Sequence, residues 1–175
     1  MNNKPDYIIG IDPDTDKSGV AQLRVAGREM EAFSNSFPEL LDYLQRMAQY
    51  QHRTGMKVLV VVEDSWRISH IWKAQRGVSV REIEKMLKIA ENVGRCHAVG
   101  MNIVECARYY GLEVKEQLPL KKIWKGKDGK ITDEEIKAFM PIQGRTNQEE
   151  RDAALLAWDY AGLPIRLARP LKSRK

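Results

Sequence analysis

Hydrophobic and polar positions along the chain alternate between two periods, and the change of period marks the elements. Tyr7-Ile8-Ile9-Gly10-Ile11 is a near-continuous apolar run rich in β-branched residues, the pattern of a strand covered on both faces. It stops at Asp12-Pro13, because proline cannot donate a ladder hydrogen bond. Val20 to Val25 and Glu29 to Ser34 predict two further strands, and Ala26-Gly27-Arg28 between them is short enough for a hairpin. Pro38 to Met47 changes to helical spacing through Leu40, Leu41, Leu44 and Met47, with Ser36 as a cap and Gly55 closing the region. Val58-Leu59-Val60-Val61-Val62 is the strongest strand signal, continuous and therefore central in a sheet, and it also ends on an acid, Glu63, followed by Asp64.

A long helical pattern runs from Val80 to Tyr110. Glycines 94 and 100 thin it and allow close packing against the sheet or a second subunit. After Gly111, Leu112-Glu113-Val114 predicts a short strand, and Pro119 to Trp124 a further helical piece. Lys125 to Lys130 reads as a basic loop. Thr132 with Glu135 forms a capping-box pattern that opens a helix through Met140, and a last helix runs from about Asn147 to Ala161, ended by Gly162 and Pro164. Hairpins first and crossovers later predict an α/β fold with a mixed sheet and helices on both faces. No internal repeat or low-complexity linker divides the chain, so residues 1–164 are expected to form one domain.

Composition changes this picture in three places. With 175 residues the chain can bury a full core but lacks room for the second half-domain of an actin-like or sugar-kinase ATPase, whose first strand also ends in Asp. Only two cysteines, Cys96 and Cys106, without CxxC spacing, argue against a disulfide framework or zinc site. Together with the lack of a signal-peptide core or a spanning apolar run, they predict a reducing, cytoplasmic location with no membrane partner. The net charge of +5 is uneven: Arg166, Arg169, Lys172, Arg174 and Lys175 carry it, and removing them leaves residues 1–164 formally neutral. Residues 165–175 therefore read as a basic tail, either a solvated terminus or a phosphate-contacting arm.

The acids carry the candidate chemistry. If the two buried strands are neighbours, Asp12 and Glu63 meet at one sheet edge, where open α/β sheets place their ligands. The first turns of the last helix add Glu149, Glu150 and Asp152, and Glu149 and Asp152, three apart, share a face. Carboxylates gathered in this way repel one another unless a divalent cation neutralises them. Two Mg²⁺ about 3.5–4 Å apart would activate a water and stabilise the leaving oxygen in phosphodiester cleavage. Simpler roles compete. Glu149 and Glu150 can complement the helix dipole or complete a cap with Thr146 or Asn147, Asp152 can pair with Arg151 or Arg145, and a strand-end Glu63 can simply be solvated. Asp12-x-Asp14-x-Asp16 has the start of a calcium loop, but Lys17 and Leu23 stand where such a loop needs Gly and Glu.

Gly10-Ile11-Asp12-Pro13, Val62-Glu63 after an aliphatic strand, and Glu149-x-x-Asp152-Ala153-Ala154-Leu155 together resemble the RuvC-type Holliday-junction resolvases of the ribonuclease H-like superfamily, over roughly residues 6–162. The resemblance implies a ribonuclease H-like mixed five-stranded sheet, three antiparallel strands first and crossover strands after. It also implies catalytic and metal-binding roles for Asp12, Glu63, Glu149 and Asp152. Mg²⁺ is the implied cofactor, with Mn²⁺ as a substitute, and a homodimer acting on a four-way DNA junction is the implied assembly. The chain departs from the family at Asp14, where Gly is usual and which could add a metal contact, and at Glu149, where Asp is usual.

Two basic stretches fit DNA. Ser65 to Gly77 follows Glu63 and interleaves Trp66 and Trp72 with Arg67, Lys73 and Arg76, so that cations meet phosphates and aromatic faces meet unstacked bases. Within the resemblance, Trp66 is the aromatic expected to push into the junction centre; the competing expectation is that these tryptophans pack in the core beneath a loop. Lys115, Lys121, Lys122, Lys125, Lys127 and Lys130 form the second stretch, with Lys122 and Lys125 the expected phosphate contacts. Of the histidines, His52 and His97 read as core or surface residues and His70 shares the first DNA stretch. The long helix is expected to supply a dimer face through His97, Met101 and Val104. Three functions follow: junction resolution, cleavage of flaps or RNA–DNA hybrids by a related nuclease, or branched-DNA binding without catalysis.

Overall fold

The N-terminal apolar run forms strand β1 (Tyr7–Asp12), and its two covered faces account for its composition. Ile8 enters one core layer, while Ile9 and Ile11 enter the other. Strands β2 (Ser18–Arg24) and β3 (Glu29–Asn35) follow antiparallel, joined through Arg28, which takes a left-handed φ of 52° in the turn. The computed structural model describes residues 4–68 and 79–165. Helix α1 (Phe37–Thr54) begins where Ser36 N–H donates to Glu39 Oε2 at 2.8 Å and ends at left-handed Gly55, φ 73°. It runs seven residues beyond the periodic stretch ending at Met47, because no breaker intervenes before Gly55.

Strand β4 (Val58–Glu63) returns beside β1 and parallel to it, and β5 (Glu113–Gln117) adds parallel to β4, giving the order β3-β2-β1-β4-β5. This is the mixed five-stranded α/β sheet expected from the sequence, with three antiparallel strands followed by crossover strands. β5 runs to Gln117 and not only to Val114, because pairing with β4 continues as far as Glu63↔Gln117. Helix α2 (Val80–Tyr109) supplies one crossover and packs with α1 on the face of Ile9, Ile11, Val60 and Val62. The short α3 (Asp133–Lys137) and α4 (Gln148–Tyr160) cover the other face, where Ile8, Leu23, Leu59 and Val61 meet Ile136, Met140 and Leu156. Burying each such aliphatic side chain contributes about 1.5–3 kcal/mol, so the two layers hold the strand ends rigidly.

Three sequence expectations need correction. Pro119 to Trp124 is not helical. Six residues starting at a proline are too short to nucleate unaided, and the backbone is engaged elsewhere: Trp124 N–H donates to Gly129 O at 3.0 Å and Gly126 N–H to Lys130 O at 2.9 Å. A 3-10 turn, Lys127–Gly129, lies inside this loop. α3 stops at Lys137, short of Met140, since the residue before Pro141 is pushed out of helical geometry. Val104 cannot serve a dimer face, because it is buried against the sheet with Ile103 and Ala107. Met101 is exposed and His97 half-buried on the same helix. Among the described residues, no helix is long and apolar enough to cross a membrane. All but Ile165 of the expected tail 165–175 lies outside the described residues, and Ile165 packs on the α3–α4 core layer.

Candidate active site

Parallel register fixes the first two acids. Ile11 pairs with Val62, so Asp12 and Glu63 stand side by side on neighbouring strands about 4.8 Å apart. Ile11 and Val62 point into the α1–α2 layer, so strict alternation turns Asp12 and Glu63 toward the α4 face. Helix α4 meets them there because two glycines let its backbone lie on the sheet. A Cβ on Gly10 would stand 2.2 Å from the carbonyl oxygen of Ala153, and one on Gly19 2.0 Å from that of Glu149. Ala153 and Ala157 are fully buried in this contact, the close approach expected of their size.

Asp152 completes the arrangement. With Asp12 and Glu63 it lines a cavity of about 120 Å³, whose outer wall carries Lys121, Lys122 and Lys130. The expected surface pairing of Asp152 with Arg151 or Arg145 is replaced by two other contacts. Gln148 Nε2 donates to Asp152 Oδ1 at 2.8 Å, and Lys130 Nζ lies 3.5 Å from Oδ2. Arg151 turns away, donating through Nε to the carbonyl of Ile131 at 3.0 Å.

Burial pushes the Asp12 carboxyl well above its ordinary range, and the charges of Glu63 and Asp152 add to the rise, with a smaller addition from Glu149; Lys130 opposes it. Glu63 is raised by burial and then by Asp152, against Lys122 and Lys130. Three acids thus face one space, and the ionisation of Asp12 and Glu63 is penalised there by burial and by neighbouring acids, the electrostatic condition that favours a bound cation.

The other candidates fall in different places. Glu149 does not line the cavity; it stands half-buried one turn earlier on α4, above Gly19. Glu150 takes the capping role: its N–H donates to Asn147 Oδ1 at 2.8 Å, its Oε2 accepts from Asn147 N–H at 3.0 Å, and its Oε1 accepts from Ser34 Oγ at 2.7 Å. Asp14 is held in a turn outside the cavity, where its Oδ1 accepts from Asp16 N–H at 2.9 Å. Lys122 lines the cavity; Lys125 does not, and its N–H donates to the Glu135 carboxylate at 3.2 Å. The ring of Trp66 is half-buried in the α1–α2 layer, against Gly100, where an added Cβ would stand 2.3 Å from Trp66 Cζ3. This is the core packing that competed with the junction role. Trp72, Lys73, Arg76 and His70 lie outside the described residues.

Sequence reasoning passed over Asp64 and underused Lys130. Asp64 is fully buried; its Oδ1 accepts from Arg67 N–H at 3.2 Å, and its Oδ2 lies 3.3 Å from Arg67 Nη1 as an ion pair without hydrogen-bond alignment. It anchors the start of the loop that carries Arg67. The available signal was alternation, which sends Asp64 to the face opposite Glu63. For Lys130 the signal was its place immediately before Ile131, a residue apolar enough to be drawn into the core.

A divalent cation fits the donor chemistry, since the facing groups are all carboxylates, the ligands of hard cations. Among the described residues, no group of three acidic, histidine or cysteine side chains is gathered closely enough to hold a metal ion as it stands.

Comparison with known proteins gives no matching family model and no matching curated protein. Solved structures similar over most of the chain include two of RuvC. One is Thermus thermophilus RuvC in complex with a Holliday junction substrate, with a TM-score of 0.46, 16% identity and coverage of 89% of this chain and 92% of that one. The other is a Thermus thermophilus RuvC structure, with a TM-score of 0.44, 16% identity and coverage of 89% and 96%.

Proposed function

We propose that this protein is a divalent-metal-dependent DNA endonuclease that resolves four-way junctions by paired phosphodiester hydrolysis. The observation that carries the reading is the convergence of Asp12, Glu63 and Asp152 on one cavity beneath Lys121, Lys122 and Lys130. Cation-seeking acids below a lysine-bearing wall suit a phosphodiester, whose charge the lysines attract while the acids hold the metal. The junction, as opposed to another nucleic acid, comes from the sequence resemblance to RuvC-type resolvases.

In this reading Asp12, Glu63 and Asp152 hold Mg²⁺ or Mn²⁺, with Glu149 reaching in from the preceding turn of α4. The chemistry such ions supply is Lewis acidity toward the attacking water and the leaving oxygen. The chain's own residues do the rest. Asp12 and Glu63 are fixed by the strand ladder and Asp152 by Gln148, which holds their oxygens where an ion would be met. Lys122 and Lys125 contact backbone phosphates and set the register of the duplex arms. Arg67, with Trp72, Lys73 and Arg76, adds contacts from the stretch after β4, and Trp66 holds the root of that stretch through its packing on Gly100. Residues 1–164 act as one nuclease domain and 165–175 as a phosphate-contacting arm. Two copies of the chain pair to make the two nicks that a two-fold junction requires.

A second reading has one observation in its favour: Lys130 sits on Asp152, and among the described residues no closed ligand group stands ready. It is a branched-DNA-binding protein without catalysis. The test incubates the full chain with a labelled four-way junction and matching duplex in Mg²⁺, beside Asp12→Asn. Paired nicks on the junction, lost by more than about a hundredfold in the variant, are expected. Undiminished cutting by the variant would remove Asp12 from the mechanism. Cutting of flaps or hybrids in place of junctions would keep the site and change the substrate, and tight junction binding with no cutting in Mg²⁺ or Mn²⁺ would establish the second reading.

A further inference from the structure

Lys130 occupies a position that its sequence surroundings do not announce. Its backbone is clamped from both sides. Lys130 N–H donates to Lys127 O at 3.1 Å, and its carbonyl accepts from Gly126 N–H at 2.9 Å. The next residue, Ile131, is buried in the core, and the Ile131 carbonyl accepts from Arg151 Nε at 3.0 Å. Arg151 precedes Asp152 on α4, so the element that presents the carboxylate also grips the loop that presents the lysine. Gly126 makes the clamp possible, since a Cβ there would stand 2.3 Å from Lys130 O. A fixed backbone therefore delivers a four-carbon stem whose ammonium lies 3.5 Å from Asp152 Oδ2 and lines the cavity shared with Asp12 and Glu63.

Resting on the metal-site reading above, we propose that Lys130 is a resident counter-ion of this site: its ammonium holds the acids together while no metal is bound and leaves Asp152 when a divalent cation arrives. Several features support this. The lysine and a cation seek the same oxygen, and one carboxylate oxygen cannot serve both at full strength. Asp152 Oδ1 already accepts from Gln148, which leaves Oδ2 as its free valence for a metal. The pair is partly exposed, with side-chain accessibilities of 35% for Lys130 and 22% for Asp152, so it is weak enough to be displaced. The lysine stem is flexible and its head strongly hydrated, so release requires no backbone movement. The cost falls on metal affinity, because only the fraction of molecules with Lys130 withdrawn presents a complete ligand set.

Calorimetric titration of the purified full chain with Mn²⁺ tests this, comparing wild type with Lys130→Gln, Lys130→Arg and Lys127→Gln. Lys127 belongs to the same loop but does not line the cavity, so its loss controls for net charge. Lys130→Gln is expected to bind Mn²⁺ about three- to tenfold more tightly than wild type. Its metal-free melting temperature should fall, and its Mn²⁺-induced rise should grow. Lys130→Arg, which keeps the charge, is expected to bind no more tightly than wild type, and Lys130→Met, which also removes the charge, takes the place of the glutamine variant if that one fails to fold. Equal affinity in wild type and Lys130→Gln, or an equal gain in Lys127→Gln, would overturn the counter-ion role and leave the metal site standing. Absence of Mn²⁺ binding in every form would overturn both.

Discussion

The floor and the outer wall of the acid cavity are built by different physics. Asp12 and Glu63 stand at the ends of two strands whose inner residues are almost wholly buried, and their spacing follows from a hydrogen-bonded register. Lys122 and Lys130 stand on a loop shaped by a few turn hydrogen bonds, two glycines and the stacking of Trp124 on Phe139, ring centroids 6.0 Å apart. Disturbing the floor means disturbing the core, whereas the wall can change with local cost. The division suits a nuclease: charges that position metal must not drift, and charges that meet a phosphate backbone must adapt to it.

That contrast can be broken from either side. The largest effect is the loss of cutting already expected for Asp12→Asn. Next, Gly19→Ala places a methyl group against the backbone of α4 and is expected to destabilise the fold by about 1–3 kcal/mol, measured by urea denaturation. At the end of the loop that carries the wall lysines, Thr132→Ala removes the acceptor of Glu135 N–H at 3.2 Å and is expected to cost about 1 kcal/mol. A Thr132 effect as large as that of Gly19 would erase the distinction between floor and wall.

The floor also carries a signature in pH. Asp12 and Glu63 have carboxyls raised above their unfolded values, so the folded state binds more protons than the unfolded chain between the two values. Metal-free protein should therefore lose stability as pH rises from about 4 through their titration. Asp12→Asn should lose less, and denaturant midpoints from pH 4 to 8 measure the difference. Parallel curves for the two proteins would mean that neither burial nor the neighbouring acids raise the Asp12 carboxyl. The smallest expected effect belongs to the wall: Lys122→Gln should lower the salt slope of junction binding by about one charge, and Lys125→Gln, outside the cavity, by no more. A larger change at Lys125 would move the phosphate path away from the cavity.

Legibility in the sequence followed the same division. The floor could be read because a buried strand leaves a long apolar run and its end leaves an acid. Asp12, Glu63 and the spacing of Ala153 and Ala157 needed only periodicity. The caps at Thr132 and Asn147 were legible because a capping box is closed within four residues. Glu149 and Glu150 were left unseparated, although the box that Asn147 closes with Glu150 is local; Ser34, more than a hundred residues away, adds a further hydrogen bond to that cap. The loop from Pro119 to Trp124 was misread as helix because its outcome depends on partners at Gly129, Lys130 and Glu135. Trp66 has the composition of a DNA contact, and its half-buried packing against Gly100, thirty-four positions on, could not be read from its own stretch. For the loop and for Trp66 the missing information was a partner outside the stretch being read.

The contact of Gly10 and Gly19 with α4 has a consequence for how the site ages. Main chain rests on main chain there, with no rotamer in between, so the separation of the strand acids from Asp152 does not depend on which aliphatic groups fill the layers around them. Neutral drift can exchange Ile8, Leu59 or Leu156 for other apolar residues without changing the distance at which the acids face each other. Sequence identity can then decay across the whole domain while two positions lacking a side chain hold the spacing.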